Sequence, residues 1–152
     1  MIKKRRIANA LYKKILQAVP ISTVDLVVVR GYGKNREFLL GKRRNKPYKE
    51  KWFIPGGRIL WGESLTEAVQ RHLKGELGLH SVHFSFVSHY SFENPPGEQG
   101  VRYFALLHIY RVEIGKGVEP RPDKENSEFA WFKKIYPSWL EPLQQILKIA
   151  GL

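Results

Sequence analysis

Residues 56–79 read GGRILWGESLTEAVQRHLKGELGL, and the second half of that stretch predicts one helix with both ends marked. Ser64 is a good N-cap, and Glu67 three residues later completes a capping box. The helix then runs to about Leu77, and Gly78 stops it. Residues spaced i, i+3 and i+4 share a helical face, so His72, Gly75 and Glu76 point the same way. A single glutamate on that face anchors a hard divalent cation only if a substrate supplies further oxygens. Gly75 costs the helix about 1 kcal/mol relative to alanine and leaves open space where a side chain would stand. His72 reads as a surface side chain, not as a ligand, because imidazole suits zinc better than magnesium. Glu63 and Arg71 read as a structural ion pair rather than a catalytic one.

Outward from the helix, short β-branched runs alternate with turns. TVDLVVV (23–29) reads as a buried strand, GYGKNRE (31–37) as a turn and FLLGKR (38–43) as the hairpin partner. WFIPGGRI (52–59) is a strand broken by Pro55 and two glycines. Asp25 is a polar residue set among apolar ones, which is costly unless it is paired or used. VHFSFVSHYSF (82–92) and VRYFALLHIYRVEI (101–114) read as strands, NPPGEQG (94–100) and GKGVEPRPDKENSE (115–128) as loops, and FAWF (129–132) as a short strand. A helix is predicted over about 3–18, with Ile7, Leu11, Ile15 and Ala18 on one stripe, Ala8 and Tyr12 beside it, and Pro20 ending it. A second is predicted over 137–149, with Leu140, Leu143, Ile146 and Leu147 on one side. The class is α+β, a mixed sheet between helices, and no repeat or linker divides residues 1–152 into more than one domain.

Composition bounds the function. The chain has 152 residues, 43% of them hydrophobic, with 8 Phe, 7 Tyr and 4 Trp, enough for one core. No apolar run approaches the roughly 18 residues of a membrane span. The basic start, MIKKRRIANALYKK, has no apolar stretch behind it and is not a secretory signal. There is no cysteine, hence no disulfide framework. These features point to a cytoplasmic protein with no membrane partner. The net charge of +12, concentrated at residues 1–6 and 41–51, makes a field that attracts polyanions. No zinc-finger spacing, RRM signature or basic heptad helix accompanies it. A small phosphorylated substrate is therefore expected, rather than a nucleic acid.

The fixed spacing carries a resemblance. Gly57, Glu63, Arg71, Leu73, Glu76, Gly78 and Leu79 fall in register with the Nudix box, G-x5-E-x7-R-E-U-x-E-E-x-G-U. His72 and Gly75 stand where that box has glutamates. With VPISTVDLVVV (19–29), FLLGKRRNKP (38–47) and KWFIPGGR (51–58), the chain resembles the GDP-mannose mannosyl hydrolase branch of the Nudix hydrolases, which also lacks some box glutamates. The resemblance implies one Nudix domain over 1–152 with its box at 57–79, folded as an α/β/α sandwich. It implies substitution at sugar carbon 1 of a nucleotide sugar, GDP leaving, with one Mg²⁺ (or Mn²⁺) per site. The metal ligands it implies are the Gly56 carbonyl, Glu76 and Glu125. Arg58 and Arg43 would meet the diphosphate, Asp25, His89 and Tyr103 the substrate, and Gly57, Glu63, Arg71 and Gly78 would build the box. A homodimer is usual for the branch. Where the branch has a histidine base this chain has Asn126, an amide that cannot take a proton. General-base help is worth roughly 10²–10⁴-fold, so its loss would slow the reaction rather than abolish it. Two other readings stand beside this one: ordinary diphosphate cleavage, and a nucleotide-sugar binding module with impaired catalysis.

Overall fold

The computed structural model describes residues 7–152. After helix α1 (Asn9–Ala18) come strands β1 (Ile21–Arg30), β2 (Glu37–Arg43), β3 (Trp52–Phe53) and β4 (Gly56–Arg58). Helix α2 (Leu65–Leu77) follows, then β5 (His83–Asn94), β6 (Tyr103–Glu113), β7 (Asn126–Phe132) and helix α3 (Glu141–Ile149). The strands form one sheet in the order β3-β2-β1-β6-β5, with β4 paired to the start of β1 and β7 to β2. β1 and β6 run parallel while the other pairs are antiparallel, so the sheet is mixed, as expected for the α+β class.

The unbroken apolar run in β1 follows from burial on both faces. Val27 and Val29 pack with Leu40, Leu107 and Ile109 against Leu143, Ile146 and Leu147 of α3. Val24, Leu26 and Val28 pack with Leu39 and Val112 against Ala68, Val69, Leu73 and Leu77 of α2. The helix signals in 64–78 operate as read. Ser64 and Glu67 form the reciprocal capping box, and Gly78 adopts the left-handed conformation at φ 66°.

Several expectations are corrected. Of the helix predicted over 3–18, residues 3–6 lie outside the described residues, and α1 buries Leu16 rather than the stripe through Leu11, which is 55% exposed. Ile7 and Ile15 of that stripe are half-buried, and Tyr12 and Leu16 turn inward beside them. α3 begins at Glu141 rather than 137 because 136–140 is a turn, with the Trp139 amide bonded to the Tyr136 carbonyl. The Gln144 amide reaches back to the carbonyls of Pro137 and Trp139. β7 starts at Asn126, before the predicted FAWF, because it follows β2 back to Arg43. β5 carries an irregularity between Phe86 and Ser88. Among the described residues no helix is long and apolar enough to cross a membrane.

Candidate active site

A cavity of about 810 Å³ opens where the start of β1 meets β4 and α2, within the size range of small-molecule sites. Its floor is the sheet face that carries Ile21, Thr23, Asp25, Ala105 and Leu107. One wall is the β4–α2 segment, with Gly56, Gly57, Arg58, His72, Gly75 and Glu76. The opposite wall is the loop before β7, with Asp123, Lys124 and Glu125, together with Arg43 and Tyr48. Phe53, Phe92 and Tyr103 add apolar surface, and Ile7 and Tyr12 close one side.

Local chemistry fixes the wall. Gly56 has φ 148°, and a Cβ there would lie 2.3 Å from the Val24 carbonyl oxygen, so only glycine brings β4 this close to β1. Arg71 clamps the box loop: its Nε donates to Glu63 Oε1 at 2.6 Å and its Nη2 to the Arg58 carbonyl at 2.8 Å. Glu63 also accepts from the Leu60 amide, and its side chain is 3% exposed. The Arg71 hydrogen bonds hold the Glu63 carboxyl below the usual glutamate range. This is the structural pair the sequence suggested. His72, expected at the surface, is buried. Its Nδ1 lies 2.6 Å from Glu76 Oε1 and its Nε2 3.2 Å from the Arg58 carbonyl oxygen.

Asp25 is 8% exposed. Burial pushes its carboxyl up to about 7, against the opposing pull of the Thr23 hydroxyl, which donates to Oδ2, and of His72. Tyr103 is likewise pushed up to about 12 by burial. Arg58 lays its guanidinium over the ring of Tyr12, with Cζ 4.4 Å from the centroid. Arg43 donates from Nε to the Pro47 carbonyl at 2.7 Å. The β7 loop is held by Asp123, whose Oδ1 accepts from the amides of Glu125 and Asn126.

Asp25, Arg43, Gly56, Gly57, Arg58, Arg71, Glu76, Tyr103 and Glu125 thus meet around one cavity, with Glu63 held by Arg71 and Gly78 ending α2. Two expected residues lie elsewhere. His89 is exposed and packs on His108, ring centroids 4.9 Å apart, across the sheet from Leu107. The bulge after Phe86 sets this, because the one-residue slip reverses which side chains face which way. Tyr90 and Phe92 then face the cavity side, and His89 the other. Asn126 is 5% exposed and lies over Gly41, where a Cβ would come 2.3 Å from its Oδ1. Its neighbours Asp123 and Glu125 face the cavity in its place. The residue the sequence reading passed over is Tyr12, whose only signal was its place beside the apolar stripe of α1.

Among the described residues no three His, Asp or Glu side chains group as a metal site. Gly56, Glu76 and Glu125 offer a backbone carbonyl and two carboxylates at one cavity, the oxygen donors that Mg²⁺ takes, with its remaining positions left for substrate and water. By chemical type these donors suit a hard cation.

Comparison with known proteins agrees with the fold. Residues 20–135 match the family model described as the NUDIX domain, so Tyr12 reaches the cavity from outside the matched segment. The ADP-ribose pyrophosphatase of Methanocaldococcus jannaschii is 33% identical over 129 residues, 85% of this chain and 70% of that protein. The low-salt glycan biosynthesis protein Agl8 of Haloferax volcanii is 39% identical over 74 residues, 49% of this chain but only 45% of that protein. Among solved structures, the NUDIX domain of Shewanella oneidensis NrtR, complexed with ADP ribose, superposes with a TM-score of 0.66 at 20% identity, over 88% of this chain and 87% of that one. The sheet between helices, the box-built cavity wall and these matches place the chain in the Nudix family of hydrolases.

Proposed function

We propose that the chain is a Mg²⁺-dependent hydrolase of a nucleoside diphosphate sugar, GDP-mannose by resemblance, acting at sugar carbon 1 to release GDP and free sugar. The observation that carries this reading is the depleted box. Glu76 is the one box carboxylate left on the metal-binding face of α2, and His72 already engages it at 2.6 Å. A site that must activate a water for attack on phosphorus commonly assembles two metals. A site that only has to stabilise a departing diphosphate needs less, because the substrate brings its own oxygens. When bound, the cation would neutralise charge growing on the leaving diphosphate. Arg58 and Arg43 add guanidinium donors suited to phosphate oxygens. Tyr12, stacked on Arg58, holds that side chain at the cavity rim, while Asp25 and Tyr103 meet the substrate at the floor. Carbon–oxygen cleavage at an anomeric centre runs through an oxocarbenium-like transition state, so departure of the diphosphate carries much of the barrier. The enzyme would work in the cytoplasm, as a single Nudix domain and as a homodimer.

One observation favours a second reading. The relative that aligns over 85% of this chain is an ADP-ribose pyrophosphatase, which supports cleavage within the diphosphate. Product analysis after incubation with Mg²⁺ and either GDP-mannose or ADP-ribose separates the two. GDP with free mannose supports substitution at carbon. GMP with mannose phosphate, or AMP with ribose phosphate, supports attack on phosphorus. Binding without turnover refutes both.

A further inference from the structure

His72 stands at the centre of the cavity wall, yet the proposed chemistry gives it no task. Two contacts hold its ring, which lies close over Gly57. Nδ1 meets Glu76 Oε1 at 2.6 Å, Nε2 meets the Arg58 carbonyl at 3.2 Å, and Cε1 lies 2.7 Å from where a Cβ on Gly57 would stand. The ring therefore fills the space over Gly57 and ties α2 to β4. The Glu76 side chain beside it is only 10% exposed, so its carboxylate has little freedom once one oxygen is engaged. At Gly75, one helical step away, a Cβ would meet nothing within 4 Å. No second carboxylate stands there to share an ion.

We propose that His72 is the positioning residue of the metal site: by holding Glu76 Oε1 and anchoring to the backbone of β4, it turns the other carboxylate oxygen toward a single divalent cation beside Gly56. This rests on Glu76 and Gly56 being metal ligands. The histidine takes the place of a box glutamate and converts a site built for several carboxylates into one that fixes a single ligand. A side chain that merely filled the slot over Gly57 could be aliphatic and would leave Glu76 free to turn away. Hydrogen-bonded partners of metal-ligating groups are worth roughly 10–100-fold in metal affinity, which sets the size of the expected effect.

The test is Mn²⁺ binding to the metal-free protein, read from the electron paramagnetic resonance signal of free Mn²⁺, with folding checked by circular dichroism. The wild-type chain should bind one Mn²⁺. His72→Leu should remain folded and bind it about 10–100-fold more weakly. His72→Gln, which keeps a donor for Glu76, should recover part of the loss. If His72→Leu does not fold, His72→Met, flexible and apolar, takes its place in the comparison with His72→Gln. A folded aliphatic variant with wild-type Mn²⁺ affinity, or a Gln variant as weak as the aliphatic one, would overturn the proposal. Glu76→Gln separates it from the reading beneath it. If that variant binds Mn²⁺ as the wild type does, Glu76 is not the ligand. If it loses Mn²⁺ while His72→Leu keeps it, the ligand stands and the positioning role of His72 falls.

Discussion

Replacing Asp25 by asparagine should change how stability depends on pH. Burial raises the carboxyl from 3.8 to about 7 in the folded chain. The folded state therefore holds a proton that the unfolded chain has lost, and stability falls as pH rises between those values, then levels off above the folded value. One pKa unit is worth 1.36 kcal/mol, so keeping Asp25 ionised in the fold costs about 4 kcal/mol over the full window. Between pH 5 and pH 8, where the fold is easier to study, about 3 kcal/mol should appear. The asparagine side chain has no such proton to lose and keeps a similar shape beside Thr23 and Gly56. Urea denaturation of both proteins in EDTA, at half-unit steps from pH 5 to pH 8, measures the difference. The wild type should lose stability relative to Asp25→Asn by about 3 kcal/mol across that range. Parallel curves would show that Asp25 is ionised at no unusual cost, and that the tight approach of β4 does not desolvate it.

Three other variants follow from the same geometry. Arg71→Met should cost about 3 kcal/mol at neutral pH by leaving Glu63 buried without its partner. Because the Glu63 carboxyl is held below its usual value, the penalty should shrink in acid as that group protonates, which denaturation at pH 7 and pH 4 would reveal. Arg58→Ala should lower kcat more than it raises KM, since a charge partner for the departing diphosphate acts most strongly in the transition state, and steady-state kinetics distinguish this from simple loss of binding. Asn126→His should not create a general base. The ring would press into Gly41 rather than reach the cavity, with a loss of about 1–3 kcal/mol from overpacking and no new limb in the pH–rate profile.

The parts of the site governed by local rules were legible in the sequence. Ser64, Glu67 and Gly78 bound α2 through capping chemistry that involves only near neighbours, so its ends could be read to the residue. The β1 run and the placement of Asp25 followed from apolar continuity. What escaped depends on contacts between distant segments. The bulge after Phe86 leaves no mark in the composition of β5, yet it decides that His89 turns away from the cavity. Asn126 is directed by the fit of β7 against Gly41 in β2, a pairing of strands far apart in the chain. His72 reads as an exposed helix residue until β4 lies against it, because glycine at 57 gives no hint of what fills the space above it. Tyr12 belongs to a helix that buries one leucine, and its role as the partner of Arg58 exists only once α1 sits at the cavity mouth.

On the proposed function, the bond broken is the one between sugar carbon 1 and oxygen. This is tested most directly by turnover of GDP-mannose with Mg²⁺ in water enriched in ¹⁸O, with products analysed by mass spectrometry. The label should enter the released mannose, and GDP should carry none. Label in GDP beside unlabelled mannose, or in GMP or mannose phosphate, would overturn that reading and establish attack on phosphorus.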